Sequence, residues 1–253
     1  MSPRRPVRAW VGKPHIDPAE LIGPRGLTDE VLRGEEEDVD AAEGDDAFWE
    51  SLLTPQRLAR IDAVIGARLG SVSVVLDRLL DAHNVAAVLR TAEGLGIARV
   101  HVVPHDARDA GAHRRVTQDA DKWIDVRMEE DGAAVAKKLT GEGFAVYAGH
   151  LDAHARPYTD IPVDRGVALL FGNEHEGPSP ETVAACAGTF RIPMAGFTQS
   201  FNVSVAAGIA LAQICSARRA FLRSPGDLPP DERRALRSKF LRLAAKLARR
   251  VKR

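Results

Sequence analysis

Arg191-Ile192-Pro193-Met194-Ala195-Gly196-Phe197-Thr198-Gln199-Ser200-Phe201-Asn202-Val203-Ser204-Val205-Ala206-Ala207-Gly208 is the stretch that decides how the chain folds. Residues 189–192 read as a short strand, and Pro193 ends it because proline has no N–H to give a sheet ladder. A loop of small polar residues follows, then an apolar run over 203–222 that predicts a helix. Ser200 and Asn202 stand where N-cap residues belong. The unpaired N–H groups at such a helix start suit a carboxylate or a phosphate. An ordinary strand–loop–helix connection carries the same signature, so the stretch gains its meaning from its neighbours.

Outward from it, strands alternate with helices. Residues 72–76, 99–103, 144–148 and 167–171 predict strands, and 85–95, 131–140 and 180–187 predict helices. Asn84 is the expected cap of the first of these helices, and Ser179-Pro180 the cap and first turn of the last. Strands spaced by helices imply an α/β fold with a parallel sheet. Ahead of them, Thr54-Pro55 opens a helix with Leu58, Ile61, Val64, Ile65 and Leu69 at helical spacing and Gly70 as its stop. Arg57, Arg60 and Arg68 lie on or near its polar side.

Three parts are expected. Residues 1–53 form an acidic, largely irregular extension, with 13 acids against 6 bases and prolines at 3, 6, 14, 18 and 24. Residues 54–222 form the α/β domain. Residues 223–253 end in a basic amphipathic helix, with Leu236, Phe240, Leu243, Leu247 and Val251 as its apolar stripe. Over 228–253 there are 10 bases and 2 acids, a charge that suits a polyanion or simply a solvated face. The whole chain balances 35 basic against 35 acidic residues, so overall charge names no partner. Cys186 and Cys215 form no pair motif, which fits a reducing cytosol. No uninterrupted apolar run reaches the roughly 18 residues of a membrane span, and no secretory signal is read at the N-terminus.

The chemistry is narrowed first by what is missing. No Gly-x-Gly-x-x-Gly follows the first strand, and no P-loop or Gly-x-Ser-x-Gly occurs. His101 with His105 and His150 with His154 make no convincing metal site, so no metal is expected. Two further stretches stand out beside the first. Asn84 and Arg90 are six residues apart on one predicted helix and lean towards one rim of the sheet. Phe171-Gly172-Asn173-Glu174-His175-Glu176-Gly177 is a polar turn between two glycines at a strand's C-terminal end, where open α/β sheets bind ligands.

Taken in order, Asn-x5-Arg-Thr, Phe-Gly-Asn-Glu-x-x-Gly and Ile-Pro-Met-x-Gly-x3-Ser-x-Asn-Val-Ser-Val-Ala-Ala resemble the three motifs of the SpoU family, RNA ribose 2′-O-methyltransferases of the SPOUT class. The resemblance covers about 54–222 and departs at Phe201, where leucine is usual. It implies a C-terminal trefoil knot, S-adenosylmethionine as cofactor and a homodimer with RNA reaching across both subunits. It places the cofactor at Gly149, Leu170, Gly172, Gly177, Ile192, Met194 and Phe201. It makes Arg90 the catalytic arginine, with Asn84, Glu174, Ser200 and Asn202 positioning it and the ribose. Arg57, Arg60, Lys122 and Arg218, with the terminal helix, are the expected phosphate contacts. The helix before the core, Asp121-Lys122-Trp123 and the basic C-terminal helix are most similar to the branch that methylates a D-loop guanosine of tRNA. Ribosomal-RNA methylation and a catalytically silent RNA-binding protein on the same fold are the alternatives.

Overall fold

The computed structural model describes residues 46–105 and 122–251; the acidic run at 35–40, Asp121 and the two C-terminal residues lie outside them. The chain divides into two compact units, Asp62–Arg237 and Met1–Ile61 with Ser238–Arg253. The elements are α1 (Asp46–Ser51), α2 (Pro55–Gly66), β1 (Leu69–Asp77), α3 (Ala82–Gly94), β2 (Ile97–Val103), β3 (Asp125–Met128), α4 (Gly132–Gly141), β4 (Phe144–Gly149), β5 (Arg156–Pro157), β6 (Gly166–Phe171), α5 (Pro180–Ala184), β7 (Gly188–Arg191), α6 (Val203–Leu222) and α7 (Pro230–Val251).

The seven strands of the larger unit make one sheet in the order β3-β2-β1-β6-β4-β7-β5, every pair parallel. The central strands are apolar on both faces, as a parallel sheet covered by helices demands. Val72, Val74 and Leu76 of β1, Ala145 and Tyr147 of β4, and Val167, Leu169 and Phe171 of β6 belong to one core with α3 and α6. The residues between them, Val75, Val146, Ala148, Ala168 and Leu170, belong to a second core with Val135, Ala136 and Leu139 of α4. The period of two thus sorts each strand onto two faces. The parallel register also brings the exits of β1, β4, β6 and β7 to the same edge.

Several sequence expectations need correcting. Helix α2 ends at Gly66, and Gly70 lies inside β1 rather than stopping a helix. Arg68 is not on a polar helix face. It is 1 % exposed, with Nη1 donating to the carbonyls of Glu93 (3.3 Å) and Ile97 (3.1 Å) and Nη2 to Glu93 Oε1 (3.0 Å) and the Trp123 carbonyl (2.8 Å). One guanidinium therefore ties the end of α3, the start of β2 and the approach to β3. Asp81, not Asn84, caps α3, its carboxylate accepting from His83 N–H at 2.8 Å. β3 and β5 were not foreseen, being short and lying at or near the sheet's edges.

In the smaller unit the helix α1 begins ahead of Thr54, inside the stretch read as irregular. Local acidity hides it. Trp49, Leu52 and Leu53 are buried, as are Phe240, Leu241, Ala244 and Ala245 of α7 in the same unit, and Ser238 Oγ donates to Asp46 Oδ2 at 2.7 Å. Thr54 does cap α2, accepting from Arg57 N–H at 3.2 Å.

Replacing Arg68 by Met takes a charged donor from the Ile97 and Trp123 carbonyls and from Glu93, whose carbonyl still accepts from Gly96 N–H. Hydrogen bonds to a charged group contribute about 1.5–3 kcal/mol, and with Glu93 part-exposed urea unfolding of the Arg68→Met chain should show a loss of that order.

Candidate functional site

Where the sheet's strand exits converge, a cleft of about 880 Å³ opens, lined by the loops after β4, β6 and β7 and by the start of α6. Phe171, Phe190, Ile192, Val203 and Ala206 give it apolar walls, and the turn from Gly172 to Gly177 forms a polar side. Gly172 admits no side chain: a Cβ there would lie 2.2 Å from Pro178 N. Gly177 holds φ +72°, a backbone glycine adopts without strain.

A chain of hydrogen bonds runs along the rim and joins all three motifs. Asn202 Nδ2 donates to Asn84 Oδ1 (3.1 Å), and Asn84 Nδ2 donates to Glu174 Oε1 (2.9 Å). Glu174 also accepts from Leu80 N–H (2.9 Å) and Asp81 N–H (3.5 Å). Asn202 Oδ1 is already filled, accepting Ser204 N–H (2.9 Å) and Ser204 Oγ–H (2.6 Å), which makes Asn202 the N-cap of α6. Because Asp81 caps α3, the Asn84 carboxamide is released for this chain. Burial works against ionisation of Glu174, but the donors from Leu80, Asn84 and Asp81 outweigh it and hold the carboxyl below its ordinary range.

Beneath the rim, Asn173 locks the turn. Its Nδ2 donates to the Arg78 carbonyl (3.1 Å) and its Oδ1 accepts from His175 N–H (2.9 Å) and Glu176 N–H (3.1 Å). Arg78 is in the left-handed region at φ 58°, an uncommon state for a non-glycine residue. The sequence reading did not single out either residue. Asn173 lies inside the second motif, which was the available signal; nothing local marks Arg78.

Of the expected cofactor residues, Gly149, Gly172, Gly177, Ile192, Met194 and Phe201 line the cleft. Leu170 does not; its side chain is fully buried in the second core. Glu174, Ser200 and Asn202 line the cleft and Asn84 is bonded to two of them. Arg90 is exposed on α3, outside the lining.

Arg218 is not a phosphate contact. It is 7 % exposed, and its guanidinium donates to Ser71 Oγ (2.8 Å) and the Val163 carbonyl (2.7 Å) with Asp227 Oδ2 at 3.8 Å. The sequence shows an arginine on a helix but not which side the sheet will cover. Lys122 is half-buried, and Arg60 is exposed and Arg57 half-buried in the smaller unit. No group of three or more metal-ligating side chains occurs among the described residues.

Comparison with known proteins adds the following. A model of the SpoU rRNA Methylase family matches residues 71–212. The tRNA (guanosine(18)-2′-O)-methyltransferase of Thermus thermophilus is 34 % identical over 158 residues, 62 % of this chain and 81 % of that protein. The crystal structure of the A. aeolicus TrmH/SpoU tRNA modifying enzyme matches with TM-score 0.65 at 27 % identity, covering 76 % of this chain and 95 % of that one. An AdoMet-bound rRNA methyltransferase from Sinorhizobium meliloti matches with TM-score 0.52 at 28 % identity, covering 62 % and 60 %.

Glu174→Gln puts an amide among N–H donors and should cost about 1 kcal/mol at neutral pH, the carboxylate being partly solvated. Since the folded carboxyl titrates below the unfolded one, this stabilisation is present above about pH 4.3 and fades as pH falls through the lower folded value. Denaturant curves of the two proteins should therefore converge on acidification.

Proposed function

The chain belongs to the SpoU rRNA methylase family, and on that footing we propose that it methylates a ribose 2′-hydroxyl of RNA with S-adenosylmethionine, its substrate being tRNA and its target a D-loop guanosine. The observation that carries this reading is the Asn202–Asn84–Glu174 chain, at 3.1 and 2.9 Å, on the rim of the cleft. Three segments distant in sequence are bonded to one another where a sugar has to be delivered. A silent RNA-binding protein has no need of that arrangement. Transfer RNA is preferred to ribosomal RNA because the Thermus relative, covered over 81 % of its length, is named for tRNA.

The cleft residues fit the cofactor. Apolar walls suit an adenine ring, and Gly149, Gly172 and Gly177 line the cleft with no side chain to fill it. Ile192, Met194 and Phe201 would complete the hold. Bound there, S-adenosylmethionine supplies a methyl group on a positively charged sulfur, with a neutral thioether as leaving group. The protein's own tasks are then alignment of the ribose and management of the hydroxyl proton. Asn84, Ser200 and Asn202 orient the sugar. Glu174 is a poor base, because both its oxygens already accept N–H bonds and its carboxyl is held acidic. Arg90 is no better a base, because a guanidinium offers donors and no acceptor. In this reading the Arg90 cation favours the developing 2′-oxyanion, and the hydroxyl proton leaves to a neighbouring RNA phosphate oxygen and from there to water. The exposure of Arg90 on α3 leaves it open to such a phosphate.

A homodimer belongs to the same proposal. Along α6, Val205 and Ala212 are exposed and Ile209 is half-buried at helical spacing, and Ala87 of α3 is exposed. An apolar stripe of this kind suits a second copy. The family's trefoil knot is also part of the reading, supported by β6 lying between β1 and β4 and by α6 returning to the core it shares with α3. In the larger unit, exposed Arg233 and Arg234 at the start of α7 suit RNA phosphates, and in the smaller unit so do exposed Arg60 and Lys239. The cytoplasm, where tRNA is found, is the proposed place of work.

Arg90→Ala should retain cofactor affinity by calorimetry yet lose at least about 100-fold in methyl transfer. Wild-type rates in that variant would remove Arg90 from the mechanism. Mass-spectrometric mapping of 2′-O-methyl nucleotides in tRNA from a strain lacking the protein identifies the target. Ala212→Arg should shift sedimentation from dimer to monomer, since a charge on the α6 stripe cannot be buried without a partner.

A further inference from the structure

We infer that Phe197 is a stacking platform for an RNA base unstacked beside the methylated ribose. This rests on the reading above, in which the Asn202–Asn84–Glu174 rim receives that ribose. The loop between β7 and α6 enters the cleft wall at Met194 and re-enters it at Gln199, Ser200, Phe201 and Asn202. Phe197 lies between those two points, outside the cleft lining and fully exposed. Each residue from 195 to 202 is exposed, so the ring is not covered by its own loop. Leaving a phenyl ring in water forgoes the burial that usually stabilises aromatic side chains. An occupant that comes and goes would recover it.

The ring's surroundings point to a base rather than to a protein. Its neighbours along the chain are Ala195, Gly196, Thr198, Gln199 and Ser200, all small or polar and exposed, unlike the large apolar residues that anchor protein hot spots. The apolar stripe suited to a second subunit is elsewhere, on α6 at Val205, Ile209 and Ala212. A flat ring in a polar setting is how single-stranded bases are held, since each base offers a π-face whatever its identity. Position agrees: Phe197 and the rim residue Asn202 are on one loop, so the chain between them spans at most roughly 18 Å. Phe201, the second exposed ring of the loop, faces the cleft instead.

The test is steady-state methylation of undermethylated bulk tRNA from a strain lacking the protein, using the full chain and F197A, F197L and F197W. Loss of stacking should raise the KM for RNA roughly tenfold or more in F197A and F197L, with kcat and cofactor affinity unchanged. F197W should keep the wild-type KM, because indole also stacks. An unchanged KM in F197A overturns the inference, as does wild-type behaviour in F197L, since leucine supplies area without a π-face. A monomeric F197A overturns it by giving the ring to the subunit contact. Wild-type protein that transfers no methyl group to this tRNA overturns the proposed function and the platform together. Activity in the wild type with no response in F197A overturns the platform alone.

Discussion

The Glu174 carboxylate is the constraint on which the site depends. It accepts N–H bonds from Leu80, Asp81 and Asn84, so one side chain from the β6 exit fixes both the β1 exit and the first turn of α3. Asn84, oriented by that bond, turns its oxygen to Asn202 and fixes the start of α6. Each bond is modest by itself, and hydrogen bonds to a charged acceptor are the stronger kind. Their sum leaves each carboxamide with a defined direction: Asn202 has its oxygen filled by Ser204, and Asn84 has its oxygen filled by Asn202. The rim is thereby organised before any ligand arrives.

The sheet makes that arrangement possible. Parallel strands put all their exits at one edge, and the register of β1 with β6 sets Leu76 beside Phe171, immediately before the loops that carry Leu80 and Glu174. Gly172 lets the turn fold tightly against Pro178, and Asn173 holds it to Arg78. Arg78 keeps its left-handed backbone with its N–H on the Val103 carbonyl (2.9 Å) and its carbonyl on Asn173. The cost of that backbone, about 1–3 kcal/mol for a non-glycine residue, is offset by these bonds at both ends.

Two buried arginines show how charge serves the scaffold here rather than the substrate. Arg68 and Arg218 both spend their donors on carbonyls and acidic or hydroxyl groups of neighbouring segments. Sequence marks them only as cations in a chain rich in them. Burying a cation is tolerable when its donors are satisfied, and both guanidiniums are held in place by several partners at once.

The sequence by itself determined the alternating α/β order, the parallel sheet, the basic terminal helix and the three motifs, because periodicity, caps and turn residues are local properties. It placed the cap at Ser179 and the full extent of α6, where Asn202 and an apolar run leave little freedom. It did not determine the strand order, the short strands β3 and β5, the early start at α1, or which of Asp81 and Asn84 would cap α3. Nor could it tell that Arg218 is buried while Arg90 and Phe197 face water. Those outcomes were decided by tertiary structure, since burial and pairing depend on which distant segment arrives, and no local pattern of residues encodes the neighbour on the other side.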